Sequence, residues 1–292
     1  MLPIVYLNGQ YVPKEEAALN VADLAILRGF GIFDYFRYAG GRPRFLEDHL
    51  DRFIRSAKRL ALDLPATREE LREAVFQLIK RNEIADGGIR FVLTGGYAPD
   101  GYTPTNPNLV GLAYPFHGPP PEQYETGVKV LLHPYQRQLP VVKSIDYLEG
   151  IRIQPMLRAK GLDYALYVDH TGNVRESDRS NYFLVKDGML ITPGEDVLHG
   201  ITRLHLLRLA RELGVTVEER PVSVAELRAA DEAIICSSVK GAMPITEIDG
   251  KPVADGRPGP VTRRLVAAWP DYVDRVAFNT EATTSSSDSA VQ

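Results

Sequence analysis

Four clusters of residues in this chain have types and spacings suited to chemistry on a small charged molecule. Lys143 stands in LPVVKSIDYL, at the end of a short β-branched run and ahead of a helical pattern. A lysine at a rigid strand end points into a cleft, and partial desolvation there strips its proton so that the amine can attack a carbonyl. GITR at 200–203 opens the amphipathic pattern RLHLLRLAREL, with Thr202 as the expected N-cap. The amides of Ile201 and Thr202 would then lie unpaired at the positive end of a helix dipole, which suits phosphate. CSSVKG at 236–241 follows the apolar strand EAII, and Ser237 and Ser238 could grip phosphate oxygens with side chain and backbone. VRESDRSNYF at 174–183 sets Glu176 and Asn181 on a strand–loop–strand. A buried carboxylate there can hold a pyridine nitrogen protonated, which makes a pyridinium an electron sink. Taken singly, each has a plainer reading. Lys143 reads as a solvated edge lysine, GITR as a capped helix, CSSVKG as a polar turn and Glu176 as a surface acid.

The elements that would position these groups follow from pattern. IVYLNGQYVP at 4–13 reads as a hairpin about Asn8-Gly9, and a second hairpin is expected at Gly40-Gly41 after a strand over 32–38. Two amphipathic helices follow, at about 46–61 and 67–82, the second with Thr67 as N-cap and Glu70 completing a capping box. Strands are expected at about 88–94 and 108–114. PFHGPPPEQYE at 115–125 contains three consecutive prolines and reads as a semi-rigid linker. Domain boundaries are therefore placed at 1–114, a small N-terminal domain; 115–125, the linker; and 126–278, the larger domain. In the second half strands are expected at 127–134, 163–169, 180–186, 189–192, 215–220 and 231–237, with helices at 148–160, 202–213 and 260–275. That irregular mixture predicts an α+β, barrel-like second domain, since it lacks a regular βαβ rhythm. The Ser/Thr-rich stretch 279–292 is expected to be a disordered tail.

Composition narrows the field. With 44% hydrophobic and 25% charged residues the chain of 292 residues is that of an ordinary globular protein. A formal charge of -4 gives no general attraction to nucleic acid or anionic membrane, so an anionic ligand must be held by local arginines and amides. One cysteine, Cys236, excludes an intrachain disulfide and CxxC metal sites, and no metal is expected. The start carries no signal-peptide pattern and no apolar run could span a bilayer, so the cytoplasm is the expected compartment.

In this order the pieces resemble one family, the class IV (fold-type IV) aminotransferases that use pyridoxal 5′-phosphate (PLP). That family runs as a lysine, Glu-x-x-x-x-Asn, Thr-Pro, Gly-Ile-Thr-Arg and a hydroxyl-rich turn before a proline. Here these are Lys143, Glu176 with Asn181, Thr192-Pro193, Gly200 to Arg203, and Cys236 to Pro244. The segments LNG at 7–9, GIFDYFR at 31–37 and DHLDRFIRSA at 48–57 also match, and the similarity covers about residues 4–275. The resemblance implies that Lys143 carries the cofactor covalently and moves the proton, and that Glu176 meets the pyridine nitrogen. It implies that Arg52, the amides of Ile201 and Thr202, and Ser238 with the Val239 amide grip the phosphate. Tyr147 matches a tyrosine near the cofactor's phenolic oxygen. A homodimer with shared active sites is implied as well, with Arg28 on a loop that reaches the partner's site.

Substrate preference follows less directly. Arg28, Arg90 and Arg179 stand at positions that would surround a substrate, and Phe33 replaces the tyrosine of well-known D-amino-acid enzymes. LTGGYAPDGY follows Arg90 in place of their Arg-x-His trap, and RGFGIFDY replaces the YGxxxFEG of the branched-chain enzymes. The loop between Glu176 and Asn181 is Ser-Asp-Arg-Ser, where relatives keep small residues, and the stretch from Thr192 to Leu198 is slightly short. The short KSIDYL segment and the arginine-rich site make the chain most similar to the D-amino-acid group, exchanging D-glutamate or D-alanine with 2-oxoglutarate or pyruvate. L-branched-chain, (R)-amine and aminodeoxychorismate-lyase-like activities are the alternatives, and outside catalysis a PLP-binding relative without turnover.

Overall fold

The computed structural model describes residues 3–278; the expected tail at 279–292 lies outside the described residues. The N-terminal half forms a six-stranded antiparallel sheet. From one edge its order is Gln10–Pro13, Ile4–Leu7, Leu109–Pro115, Asp86–Thr94, Gly31–Ala39 and Arg42–Pro43. Both predicted hairpins are present: Tyr6 pairs with Tyr11 around Asn8-Gly9, and Ala39 pairs with Arg42 around Gly40-Gly41. In each, both central residues take positive φ, the conformation a two-residue turn needs to match strand twist.

Helices Leu46–Arg59 and Arg68–Asn82 cover one face of this sheet. Their apolar faces bury Leu50, Phe53, Leu71 and Leu78 against Phe36, Ile89 and Phe91. The Thr67 capping box forms as expected: the Thr67 hydroxyl accepts from the Glu70 amide at 3.2 Å, and Glu70 accepts from the Thr67 amide at 2.7 Å.

The second half builds a nine-stranded mixed sheet. Its path curls back on itself, so that Val174–Ser177 at one end meets Asn181–Lys186 near the other. The Ser177 amide donates to the Ser180 carbonyl at 2.8 Å and the Tyr182 hydroxyl to the Val174 carbonyl at 3.0 Å. This is the barrel-like second unit expected from the strand pattern, with helices Ile201–Glu212 and Pro260–Val276 packed outside.

Several local expectations are corrected. The helix expected over 148–160 is two short helices, Leu148–Arg152 and Gln154–Ala159, because Pro155 has no amide to continue the ladder. Strand Gly241–Ile248 falls outside the expected elements, since it contains Pro244. It is tolerated because the neighbouring strand Val128–Pro134 pairs only from Ile245 onward, leaving no donor required at Pro244. The 115–125 stretch also holds the start of a short helix, Glu122–Thr126.

The halves are joined beside Lys143. The Phe33 amide donates to the Lys143 carbonyl at 2.9 Å, and the Ile145 amide to the Gly31 carbonyl at 3.0 Å. Farther off, Phe45 stacks on His205 at 3.8 Å between ring centres.

Candidate active site

Between the two halves lies a cavity of about 790 Å³. Lys143 stands in its wall, but not on a strand end as expected. Its segment is irregular, held by an isolated bridge between Ile32 and Ser144 and by the two hydrogen bonds just described. The rigidity is borrowed from strand Gly31–Ala39. Lys143 Nζ lies 4.5 Å from the centre of the Phe33 ring. Burial, then the Arg52 guanidinium, bring its amine down to about 7, against the opposing pull of Asp34 and Glu176. An amine in that range is partly unprotonated at neutral pH, as nucleophilic and proton-transfer work require.

Glu176 is buried in the same wall. Burial raises its carboxyl above the usual range, while Arg137 and the Leu198 amide pull it back. Arg137 Nη1 donates to Glu176 Oε1 at 3.1 Å, and Leu198 N to Oε2 at 3.1 Å. The same arginine donates to the carbonyls of Pro140 at 3.0 Å and Val142 at 2.7 Å, so it ties the carboxylate to the Lys143 segment. Asn181 completes the motif from the other side: its amide donates to the Leu198 carbonyl at 2.7 Å. Glu176 and Asn181 thus clamp one residue just ahead of the next helix.

That helix starts at Ile201, and its N-cap is Gly200, not Thr202 as expected. A Cβ on Gly200 would come within 2.1 Å of Asn181 Oδ1, so only glycine lets the clamp close. No side chain caps the helix, and the first amide bonded back is that of Leu204, on Gly200 O. The amides of Ile201 and Thr202 are therefore left for a ligand, and both residues line the cavity, as do Ser238 and Val239 across from them on a turn.

Arg52 reaches the cavity from helix Leu46–Arg59. Its Nε and Nη2 donate to Asp34 Oδ2 and Oδ1 at 2.8 and 2.7 Å. His49 Nδ1 lies 2.7 Å from the same carboxylate. Burial raises the Asp34 carboxyl, but Arg52 and His49 outweigh it and hold it well below the usual range. Arg52 is thus fixed in direction with Nη1 uncommitted among the described residues.

Tyr147 packs edge-on against Phe33 at 5.6 Å. Burial raises its hydroxyl's pKa. Arg90 also sits over Phe33, at 5.0 Å, while Arg179 rises from the opposite half over Tyr164 at 5.3 Å. Of the residues given a cofactor or substrate role from sequence, Arg28 alone does not line this cavity; it is exposed on the short helix Leu24–Arg28. Sequence reasoning missed Asp34, Arg137, Lys240 and the linker residues His117 and Gln123, which all sit at or behind the wall. Asp34 lies inside the matched segment GIFDYFR, and that was the available signal for it.

The model of the family described as amino-transferase class IV matches residues 31–248. The chain belongs to the class IV aminotransferases. A D-alanine aminotransferase of Staphylococcus epidermidis is 33% identical over 92% of this chain and 97% of its own. A Methanocaldococcus jannaschii protein with a provisional branched-chain-amino-acid aminotransferase name is 34% identical over 91% of this chain and 95% of its own. Among solved structures, a Thermus thermophilus branched-chain amino acid aminotransferase with pyridoxamine 5′-phosphate superposes with a TM-score of 0.88. It is 26% identical, and the match covers 94% of this chain and 95% of that one.

The enzyme is a PLP-dependent aminotransferase. The residues present fit the cofactor: free helix amides at a glycine N-cap, a fixed guanidinium, a buried carboxylate and a half-neutral lysine. Arg52, Ile201, Thr202, Ser238 and Val239 would hold the phosphate, Glu176 the ring nitrogen and Lys143 the reactive carbon. When bound, PLP supplies an electron-poor ring that stabilises negative charge at the substrate α-carbon. Lys143 Nζ, brought down to about 7, would carry the proton to and from that carbon. No helix among the described residues is long and apolar enough to cross a membrane.

The Asp34–Arg52 contact yields a prediction. Asp34→Asn frees Arg52 to rotate and should weaken PLP retention by roughly tenfold to a hundredfold, the worth of one charge-assisted hydrogen bond. Cofactor loss on dialysis measures it, and kcat should return at saturating PLP. Unchanged retention would show that Arg52 does not need its partner.

Proposed function

We propose that this enzyme exchanges the amino group of a D-amino acid, such as D-glutamate or D-alanine, with a 2-oxo acid such as 2-oxoglutarate or pyruvate. The reaction runs in two ping-pong halves with Lys143 carrying the cofactor. The carrying observation is the charge of the wall around Lys143: Arg90 and Arg179 both line the cavity, and Arg90 has no carboxylate within 4.0 Å among the described residues. Such guanidiniums suit substrate carboxylates, which they bind bidentately. The S. epidermidis relative supports the reading. An L-branched-chain substrate is the second reading, favoured by the apolar stretch of Phe33, Val92, Ile145 and Ile151 in the same cavity.

A panel of D- and L-amino acids and (R)-amines against 2-oxoglutarate and pyruvate decides between them. Preference for L-leucine over every D-amino acid would sink the D-specific reading. Arg90→Ala and Arg179→Ala should each weaken the amino acid by roughly tenfold to a hundredfold, with much smaller losses for amines lacking a carboxylate. Bleaching of the cofactor's visible band by an amino donor separates an active enzyme from an inert PLP-binding relative.

We assign the working unit as a homodimer in the cytoplasm. Beside Arg28, Val21, Ile26 and Leu27 are 77%, 59% and 47% exposed, an apolar surface suited to burial against a second copy. If Arg28 completes the partner's site, mixing Arg28→Ala with Lys143→Ala subunits should restore part of the activity. A fully active monomer in sedimentation would end this assignment.

A further inference from the structure

Lys240 closes the turn between strands Glu232–Ser237 and Gly241–Ile248. Its backbone is fixed on both sides: the amide donates to Ser237 O at 3.2 Å and the carbonyl accepts from the Tyr124 hydroxyl at 2.8 Å. Gly241 follows with φ of 60°, and a Cβ there would meet the Trp269 indole nitrogen at 2.7 Å. Glycine at 241 permits this turn, which delivers the lysine inward. Lys240 is 5% exposed and lines the active-site cavity. Its Nζ donates to Ser180 Oγ at 2.8 Å and lies 4.2 Å from the centre of the Tyr164 ring, which Arg179 also approaches.

What this ammonium lacks is an anion. No carboxylate lies within 4.0 Å of Nζ among the described residues. The neighbouring acid, Asp178, already accepts from the Ser177 hydroxyl at 2.7 Å and faces Arg179 at 3.5 Å. A hydroxyl and a ring face do not compensate a buried cation, and Arg179 adds a like charge. Burial first, then Arg179, bring the Lys240 amine down to about 8. A structural lysine would be paired; this one is held ready for a charge that arrives from the cavity.

We infer that Lys240, with Arg179 beside it, is a carboxylate anchor of the active site at the Tyr164 wall, separate from Arg90 over Phe33 and Tyr35. The inference rests on the reading that the substrates are amino acids and 2-oxo acids, and it holds for either hand of the amino acid. The groups facing Nζ are Arg179, Asp178 and Ser180 from the loop, Tyr164 from its strand and Cys236 from its own hairpin. Of these, Lys240 itself changes charge near pH 8. A docked carboxylate favours the ammonium, so binding takes up a proton wherever free Lys240 is neutral. Affinity is therefore full below about pH 8 and falls as pH rises above it.

The test measures KM and kcat of the holoenzyme for 2-oxoglutarate and for 2-oxopentanoate, which lacks only the distal carboxylate. Any saturating amino donor serves, so an enzyme found to be L-specific would end the D-amino-acid proposal without touching this one. Lys240→Met should raise KM by roughly tenfold to a hundredfold with kcat little changed. A rise for both acids assigns the α-carboxylate to Lys240; a rise for 2-oxoglutarate alone assigns the distal one. Lys240→Arg should restore most of the affinity and remove the rise of KM above pH 8, because guanidinium stays charged. KM within about threefold of wild type for both acids in Lys240→Met would overturn the inference, at the scale where a lost charged hydrogen bond is absent.

Discussion

Lys143→Ala should lower kcat by on the order of 10⁴-fold, the upper end of what a positioned proton-transfer group contributes. The reason is geometric before it is chemical. Lys240, the other lysine of the cavity, is committed to Ser180 and the Tyr164 wall, so no second amine can substitute. Lys143→Arg should fail equally, since guanidinium does not deprotonate. Burial and Arg52 hold the Lys143 amine at about 7. Covalent uptake of PLP by the apoenzyme should therefore quicken as pH rises to about 7 and then level off, because only the unprotonated amine attacks. The same depression gives a control on folding. Between about 7 and 10.5 the unfolded chain holds a proton that folded apoenzyme lacks, so Lys143 subtracts stability at neutral pH. The apo form of Lys143→Ala should then melt no lower than wild type while activity is lost. Borohydride reduction and peptide mapping identify the attachment point, and a labelled peptide without Lys143 would overturn the assignment.

Arg137→Ala should carry the second largest effect, on stability and activity together. Removing one partner of a buried ion pair costs about 3 kcal/mol at the lower end, or roughly 6–10 °C in Tm for a chain of this size. The variant leaves Glu176 buried with the Leu198 amide as its remaining donor. Burial already raises that carboxyl and Arg137 is the strongest opposing influence, so its loss moves the pKa further up. With its carboxyl moved further up, Glu176 holds less of the negative charge that would keep a pyridine nitrogen protonated. Turnover should drop, then recover as pH rises and the carboxyl ionises. Glu176→Gln should show the drop without the recovery. A pH profile of kcat for Arg137→Ala that matches wild type would remove Arg137 from this role.

The elements legible in the sequence are those whose cause is local. Asn8-Gly9 and Gly40-Gly41 demand positive φ, and Thr67 with Glu70 satisfy each other's backbone, so their turns and helix start form as read. Where a distant neighbour decides, pattern misleads. Thr202 resembles an N-cap by residue type, yet Gly200 takes the position because Asn181 leaves no room for a side chain. Lys143 reads as a strand end because Val141 and Val142 are β-branched, but its partner strand belongs to the other half of the molecule.

The chemistry itself is written along the chain: a lysine, a Glu-x-x-x-x-Asn, a glycine-led helix start and a hydroxyl-rich turn in one order point to the family and its cofactor. Spacing suffices for that, because residue types in a fixed order along the chain are read without knowing which distant segments hold them. The tuning of the side chains, by contrast, arises from contacts between distant segments. Asp34 steers Arg52 from 18 positions away, Arg137 couples Glu176 to the Lys143 segment across 39, and Lys240 meets Ser180 across 60. No local pattern encodes such pairs. Burial and charge act through space, so the pKa of Lys143 exists only once the two halves have closed around the cavity, and the unpaired charge of Lys240 only once its own half has folded.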